Sequence, residues 1–219
     1  MSQTIGIVTT CHTYTHFIPD WSASVAELNR QPDEVVVACT NVASTIPNLD
    51  PRLKETTVIS VPQPFGLGKY LNRAIRALDT DWVAWIGADD RYRPTAFDDV
   101  PLDSADVIAF GMEWPNGTST IPGNVTAERV LQVSDNPVLC GSLFRRSLWE
   151  THPFNEDLHP FEDWGFWVGC AAQGARFAST GRVDFDYSTH GAQNHPPQEP
   201  TRSKIREWLN SLEGTHGDH

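Results

Sequence analysis

The stretch Trp82-Val83-Ala84-Trp85-Ile86-Gly87-Ala88-Asp89-Asp90 joins a run of five apolar residues directly to a glycine turn and two adjacent carboxylates. A short, continuous apolar run is typical of a parallel strand that is buried on both faces. In sheets of this kind, ligands bind beyond the carboxyl ends of the strands, where the strand order reverses. The stretch therefore predicts a buried strand whose carboxyl end presents Asp89 and Asp90 to a ligand.

Similar strands precede this stretch and alternate with amphipathic helices. The predicted elements are strands over residues 5–9, 34–39 and 57–61, and helices over residues 21–28 and 66–78. This alternation indicates a Rossmann-like α/β fold, with a mostly parallel sheet flanked by helices. Thr10, Thr40 and Asn41 then follow the ends of two strands, at the same edge of the sheet as Asp89 and Asp90.

The second half of the chain is less regular in pattern. Residues 111–137 are rich in Gly, Pro, Asn and Thr, and they predict a hairpin or an excursion over the site. The other elements predicted in this half are a strand over residues 106–110, a short helix over 140–150, a firmer helix over 164–172, one or two strands over 177–187, a Pro-rich connector over 193–201 and a terminal helix over 202–212.

Composition excludes some classes of function. With 16 basic and 28 acidic residues the net charge is −12, so tight nonspecific DNA binding, which depends on releasing counterions, is not expected. The four cysteines form no CxxC pair and no zinc-finger spacing, which favours buried, reduced thiols. No stretch approaches the ~20 apolar residues of a membrane span, and the first residues do not resemble an export signal. We therefore expect a cytoplasmic protein without a membrane span.

The Asp89-Asp90 pair has the chemistry of a divalent metal site. Mg²⁺ and Mn²⁺ prefer oxygen ligands and bind substrate phosphates together with one or two carboxylates. A departing nucleoside diphosphate requires positive charge, and in so acidic a chain a metal ion is the natural source of it. The competing interpretation is a solvated Asp-Asp turn without a ligand, since Asp is common in turns.

A second acidic pair, Glu162 and Asp163, precedes the apolar helix predicted over residues 164–172. Acidic residues are favoured in the first turn of any helix, so the pair by itself does not indicate a function. Its neighbours Phe161 and Trp164 are aromatic, however, and a carboxylate in a partly dry site gains the basicity to accept a proton from a sugar hydroxyl. The aromatic faces would also suit stacking against a sugar ring.

Five motifs follow one another in a characteristic order over roughly residues 4–190. They are VTTCH at 8–12, GLGKYLN at 66–72, WIGADDRYRP at 85–94, GSLFRR at 141–146 followed by FNED at 154–157 and FEDW at 161–164, and DYSTH at 186–190. Together they resemble the motifs of the family-2 inverting glycosyltransferases. The resemblance implies the GT-A fold and transfer of a sugar from a nucleotide-diphosphate donor to an acceptor hydroxyl, with inversion at the anomeric carbon.

The resemblance also implies roles for individual residues. Asp90, with Asp89, would hold a Mn²⁺ or Mg²⁺ ion that bridges the donor diphosphate, and His190 would be a further metal ligand or a diphosphate contact. Asp163 would be the catalytic base that deprotonates the acceptor hydroxyl. The residues expected to bind substrate or donor are Thr10, His12, Thr40, Asn41, Gly66, Lys69, Asn72, Asp89, Glu162 and Trp164.

The same resemblance divides the chain into parts. Residues 1–192 would form the GT-A domain, in which residues 1–94 bind the nucleotide and residues 95–192 bind the acceptor. Residues 193–219 would supply the connector and a C-terminal helix and tail. The acceptor stays open: a glycan, a lipid head group, a protein or a modified base would each provide a hydroxyl.

Four positions depart from the family's pattern. Ala38 and Cys39 occupy the place of the acidic residues that usually follow the second strand and read the nucleobase, so the identity of the base is open. Leu71 replaces a common arginine. Gly87 replaces the first acid of the metal motif, which shifts the expected metal ligands towards Asp90, Asp89 and His190.

Two other functions compete with glycosyl transfer. A nucleotidyltransferase also places carboxylates and Mg²⁺ at a strand end, but it usually needs a Gly-rich basic loop after the first strand, and residues 10–16 contain neither Gly nor Lys or Arg. A non-catalytic module that binds nucleotide-sugars or carbohydrates would explain the missing acids at Cys39 and Gly87. The retained Glu162-Asp163 pair argues against that alternative.

Overall fold

Side chains on the central strands alternate between two hydrophobic cores, one on each face of a single sheet. The computed structural model describes residues 3–11, 15–40, 49–53, 55–61, 66–158, 160–189 and 198–214. On the strand that leads into the metal motif, Val83 and Trp85 enter one core, whereas Trp82 and Ala84 enter the other. Burial on both faces explains why these strands are continuously apolar in sequence.

Within the described residues, the sheet contains nine strands. They are β1 Ile5–Cys11, β2 Glu34–Cys39, β3 Thr56–Ser60, β4 Trp82–Trp85, β5 Arg91–Tyr92, β6 Val107–Glu113, β7 Ser119–Thr120, β8 Leu143–Arg145 and β9 Phe177–Asp186. The helices are α1 Ile18–Ala26, α2 Leu67–Arg76, α3 Ala127–Leu131, α4 Arg146–Thr151, α5 Glu162–Ala172 and α6 Gln198–Gly214. The four strands predicted in the first half are confirmed as β1 to β4.

The strand order is β3-β2-β1-β4-β8-β6-β9-β5, with β7 paired to β6. β1 lies between β2 and β4 and runs parallel to both, and β2 runs parallel to β3. The carboxyl ends of β1, β2 and β4 therefore meet at one edge of the sheet. A hydrogen bond of 2.9 Å from the Thr9 hydroxyl to the Ile86 carbonyl oxygen joins the ends of β1 and β4 there.

The helix predicted over residues 140–150 is wrong in its first part. Leu143–Arg145 forms β8, which pairs antiparallel with β4 on one side and β6 on the other, and α4 begins only at Arg146. Leu143 and Phe144 enter opposite cores, which requires the two-residue repeat of a strand. The strand edges that select this conformation belong to β4 and β6, which lie far from β8 in sequence.

The last strand brings the C-terminal part of the domain to the metal motif. β9 runs parallel to β6 and antiparallel to β5, and this second pairing places Asp186 opposite Arg91. Residues 186–189 therefore lie beside the Asp89-Asp90 turn. Helices α2, α5 and α6 contribute to the core on one face of the sheet and α1 to the core on the other. None of the described helices combines the length and the apolar content needed to traverse a bilayer.

Candidate active site

The Asp89-Asp90 turn is held by backbone hydrogen bonds at the end of β4. The Asp90 amide donates to the Gly87 carbonyl oxygen at 3.1 Å, and the Arg91 guanidinium donates to the Asp90 carbonyl oxygen at 2.8 Å. The Asp90 side chain is only 3% exposed, and its Oδ1 accepts a hydrogen bond of 2.8 Å from the backbone N–H of Ser188. The pairing of β9 with β5 thus orients a buried carboxylate at the carboxyl edge of the sheet.

Both carboxylates of this turn lie over Gly87. A Cβ atom added to Gly87 would lie 2.6 Å from Asp89 Oδ1 and 3.4 Å from Asp90 Oδ2, so the two side chains converge on the same side of the turn. Burial raises the pKa of Asp90 well above its usual range, and the charge of Asp89 raises it further. Repulsion between buried carboxylates is the condition that a bound cation relieves.

These residues fit a Mg²⁺ or Mn²⁺ ion that shares its coordination with substrate. Two carboxylates supply hard oxygen ligands, and such ions normally complete their shell with waters and phosphate oxygens. The part of the chain that the structure describes contains no group of three or more His, Cys, Asp or Glu side chains able to hold a metal by themselves.

Asp163 lies in the first turn of α5, whose N-terminus has an unusual conformation. Phe161, the residue that caps the helix, adopts a left-handed conformation with φ of 75°, which is rare for a bulky residue and is found mostly at functional sites. The Asp163 carboxylate accepts hydrogen bonds from the Trp164 backbone N–H and from the Asn136 side chain, which lower its pKa. Burial outweighs them and raises the pKa of Asp163 to about 6.

A half-buried thiol connects the two acidic regions. Burial raises the pKa of Cys140, and the carboxylates of Asp90, Asp163 and Asp89 raise it further, so all three lie close enough to act on one sulfur. The chain is anchored here because the Gly141 amide donates to the Trp85 carbonyl oxygen at the end of β4. The Asp89-Asp90 turn and Asp163 therefore both lie near Cys140.

No protein-family model and no curated protein sequence matches this chain. Solved structures match it over almost its whole length. TarS 1–349 from S. aureus in complex with UDP-GlcNAc matches with a TM-score of 0.73 at 17% identity, covering 99% of this chain and 68% of that one. The mannosyltransferase PcManGT from Pyrobaculum calidifontis, in complex with GDP-Man and Mn²⁺, matches with a TM-score of 0.61 at 13% identity, covering 100% and 77%. Glucosyl-3-phosphoglycerate synthase from Mycobacterium tuberculosis, in complex with Mn²⁺, UDP and glucosyl-3-phosphoglycerate, matches with a TM-score of 0.61 at 18% identity, covering 96% of this chain and 80% of that one.

This chain has the GT-A fold. The predicted fold class is therefore confirmed, and the structural neighbours are glycosyltransferases captured with nucleotide-sugars, nucleoside diphosphates or Mn²⁺. Their identities of 13% and 18% show the fold alone, so family 2 and the chemistry of this chain stay predictions. The chain spans 68% of TarS 1–349 and 40% of the longer TarS chain.

Four of the residues predicted to bind donor lie on the GT-A strand edge or on the helix beside it. Thr10 is half-buried near the end of β1, and Thr40 directly follows β2 with its hydroxyl 2.7 Å from the Tyr70 hydroxyl. Gly66 caps the N-terminus of α2, and Lys69 is half-buried in its first turn. These positions agree with a nucleotide that lies across the ends of β1 and β2.

Asn72 is occupied by structural hydrogen bonds. Its Oδ1 accepts from Trp149 Nε1 at 2.9 Å and from the Phe154 amide at 3.0 Å, and its Nδ2 donates to the Phe154 carbonyl oxygen at 2.9 Å and to Glu156 Oε1 at 3.2 Å. The side chain joins α2 to α4 and to the segment before α5. A satisfied amide that is 4% exposed holds these parts together and has no free group to offer a donor.

The two remaining described predictions lie on α5. Trp164 is 1% exposed and packs edge-on against Phe161, so its ring belongs to the core and presents no face to a sugar. Glu162 is also buried, next to Asp163. The predictions for His12, Asn41 and His190 fall outside the described residues.

Three residues of the site were not predicted from sequence: Asn136, Cys140 and Tyr187. Tyr187 packs against Trp114 with ring centroids 5.0 Å apart, and the carboxylates of Asp90 and Asp163 both act on it. Tyr187 lies within the DYSTH motif at 186–190, and Asn136 precedes Pro137, which restricts its backbone to extended conformations. Nothing local distinguishes Cys140 from an ordinary half-buried residue.

Proposed function

We propose that this chain is a metal-dependent, inverting glycosyltransferase that moves a sugar from a nucleoside-diphosphate donor to an acceptor hydroxyl. The observation that carries the proposal is the common site of two differently built acidic groups. A carboxylate pair suited to a cation and the half-buried carboxylate of Asp163, with a pKa of about 6, both act on Cys140. Glycosyl transfer needs both: a cation stabilises the departing diphosphate, and a base removes the proton from the acceptor hydroxyl.

Asp163 would act as the general base. With a pKa of about 6 it is mostly ionised at neutral pH and yet basic enough to accept a proton as a hydroxyl becomes nucleophilic. The acceptor oxygen would form a bond to the anomeric carbon while the bond from that carbon to the diphosphate oxygen breaks. The electron pair leaves with the nucleoside diphosphate, the proton goes to Asp163, and attack opposite the leaving group inverts the configuration.

Asp90 and Asp89 would hold the Mn²⁺ or Mg²⁺ ion, with His190 as a further ligand. The ion, when bound, supplies positive charge to the diphosphate. The buried Asp90, which accepts a hydrogen bond from Ser188, and the half-buried Asp89 converge over Gly87, and this arrangement supports the assignment of both carboxylates to one cation. This preorganisation avoids the reorganisation that a flexible pair would undergo on binding.

The donors to test first are UDP-GlcNAc and GDP-mannose, because structures that share the fold were solved with them. We propose that residues 1–94 bind the nucleotide, through Thr10, Thr40 and the N-terminus of α2, and that residues 95–192 bind the acceptor. At Ala38 and Cys39 the chain lacks the carboxylate that usually reads the nucleobase in the family it resembles, so the experiment includes both a uracil and a guanine donor.

Mass spectrometry of the purified protein with each donor, with and without Mn²⁺, tests the proposal. We expect release of the nucleoside diphosphate and a free or transferred sugar, with Mn²⁺ required and Asp163→Asn inactive. Asp157→Asn, an exposed carboxylate a few residues away, is the matched control. Release of pyrophosphate from a nucleoside triphosphate and a sugar phosphate would identify a nucleotidyltransferase instead. Donor binding in calorimetry without any turnover would identify a binding module.

A further inference from the structure

Asn136 contacts the proposed base from a distant part of the chain. Its Nδ2 donates a hydrogen bond of 3.0 Å to Asp163 Oδ2 across 27 residues of sequence. The Oδ1 atom of the same amide is buried and has no hydrogen-bond partner among the described residues. A buried acceptor left unpaired is destabilising, so an amide in this state requires an explanation.

The chemistry of the pair determines which way the amide faces. An ionised carboxylate can only accept hydrogen bonds, so the NH₂ group of Asn136 must face Asp163. Rotating the amide would satisfy Oδ1 no better and would place an oxygen against the Asp163 carboxylate. The unpaired Oδ1 is therefore a consequence of the contact with the base, and it is an acceptor that lies beside the base.

The segment that carries Asn136 is held on both sides. Asn136 precedes the buried Pro137, which restricts its backbone to extended conformations. On one side Arg129 of α3 forms an ion pair of 2.6 Å with Asp135, and on the other Arg206 of α6 donates to the Val133 carbonyl oxygen at 3.1 Å. The position of the amide is thus defined by two helices, as a residue that orients another must be.

We propose that Asn136 positions Asp163 through its NH₂ group and that its Oδ1 accepts a hydrogen bond from a second hydroxyl of the acceptor. This inference rests on the proposed function. One acceptor hydroxyl donates to Asp163 and loses its proton, while a neighbouring hydroxyl donates to Asn136 Oδ1 and fixes the orientation of attack. The acceptor is therefore a polyol with hydroxyls on neighbouring carbons, as in a sugar ring or a glycerol unit.

The hydrogen bond from Asn136 to Asp163 can be tested without an activity assay. Carboxyl-carbon NMR titration of the protein labelled at aspartate, with Asp163→Asn to assign the resonance, measures the pKa of Asp163. In Asn136→Ala we expect it to rise by about one unit, because a hydrogen bond to a charged acceptor is lost. Asn136→Asp keeps the shape of the side chain and places a like charge beside the base, so we expect a rise there as well. An unchanged pKa in both variants overturns the positioning role.

The contact with the acceptor is tested with two small alcohols as probes. Propane-1,2-diol and propan-1-ol, at equal concentration, compete with water for the donor sugar, and mass spectrometry measures the transfer products. We expect the wild type to prefer the diol by about fivefold, roughly the contribution of one hydrogen bond, and Asn136→Ala to lose that preference. Equal use of both alcohols by the wild type, or a preference that survives in Asn136→Ala, overturns the contact.

A matched control separates these effects from general damage. Asn116→Ala removes an amide from the exposed turn before β7, where Asn116 Oδ1 accepts two hydrogen bonds from Thr118. It should leave both the pKa of Asp163 and the diol preference unchanged. If the wild type releases no nucleoside diphosphate from either donor, the proposed function fails and the acceptor contact fails with it. If it hydrolyses a donor but transfers sugar to neither alcohol, the acceptor contact alone is overturned. The NMR titration then still decides whether Asn136 sets the basicity of Asp163.

Discussion

The two acidic regions of this molecule differ in the groups that surround their carboxylates. In the Asp89-Asp90 turn, a buried carboxylate lies beside a second one and accepts a hydrogen bond from the Ser188 amide. At the start of α5, Asp163 is half-buried and also lies beside a second carboxylate, Glu162, but it accepts hydrogen bonds from the Trp164 amide and from Asn136. Burial raises both pKa values, and the remaining partners decide what each carboxylate can do.

The difference indicates which ligand each region needs. The like charge at Asp89 is relieved by a cation, which would lower the pKa of Asp90 and leave both carboxylates ionised. Hydrogen bonds from N–H groups keep Asp163 ionised near neutral pH without a cation, so it remains able to take up a proton. Two adjacent carboxylates, one of them buried, therefore suit a metal ion, whereas a carboxylate that accepts several hydrogen bonds from N–H groups suits a base.

Asp163→Asn should have the largest effect of any single change. An amide cannot accept the proton, so we expect turnover of the donor to fall by about 10²- to 10⁴-fold, the usual contribution of a general base. Donor affinity should stay within about twofold, since Asp163 is assigned to the acceptor side. Steady-state kinetics and calorimetry measure the two quantities. Near-normal turnover in Asp163→Asn would show that Asp163 is not the general base, and the contrast between the two regions would then fail.

Asp90→Asn should act on metal binding. We expect the Mn²⁺-dependent affinity for UDP or GDP to fall by more than about 10-fold. Replacing a residue that merely hydrogen-bonds to a metal ligand already lowers metal affinity by about that factor, and Asp90 is proposed as a ligand itself. Titration calorimetry with and without Mn²⁺ measures it. Asp20→Asn removes an exposed carboxylate that pairs with Arg91 at 3.3 Å and should leave the affinity unchanged. If Mn²⁺ still raised the affinity in Asp90→Asn as it does in the wild type, Asp90 would not be a metal ligand.

The stability of the protein should depend on Asp163 in a defined pH window. Because the folded pKa of about 6 lies above the ordinary aspartate value of 3.8, the folded state binds the proton more tightly, and its stability falls as pH rises from about 4 to 6. Asp163→Asn removes this penalty and should stabilise the protein by about 1–3 kcal/mol at pH 7 and by almost nothing at pH 4. Urea unfolding at both pH values measures the difference. A gain that is larger at pH 4 would contradict the assigned pKa.

Gly87→Ala should have the smallest effect, confined to the turn. The added Cβ would displace the half-buried Asp89 carboxylate, whose Oδ1 lies 2.6 Å away, and rotation of that side chain relieves the contact. We expect metal-free stability to change by less than about 1 kcal/mol. Mn²⁺ should raise the melting temperature less than in the wild type. Gly123→Ala, where a Cβ meets nothing within 4 Å, is the control and should respond to Mn²⁺ normally.

Elements with strong local patterns were predicted correctly. The four apolar strands of the first half, the helix over residues 67–76 and the helix that begins beside Asp163 are all present. β8 was missed because three residues carry too little periodicity, and their conformation depends on the edges of β4 and β6. Asn72 was assigned to the donor from its motif, whereas its four hydrogen bonds join α2 to distant segments.

The sequence by itself determined where the carboxylates stand: Asp89 and Asp90 after a buried strand, and Asp163 in the first turn of a helix. Apolar periodicity and strand-end placement are local properties, which a single chain displays directly. Only the tertiary structure decided that these carboxylates share one site, that Ser188 orients Asp90 and that Asn136 meets Asp163. Those contacts join residues 98 and 27 positions apart, and their existence follows from strand pairing and helix packing, which no local pattern encodes.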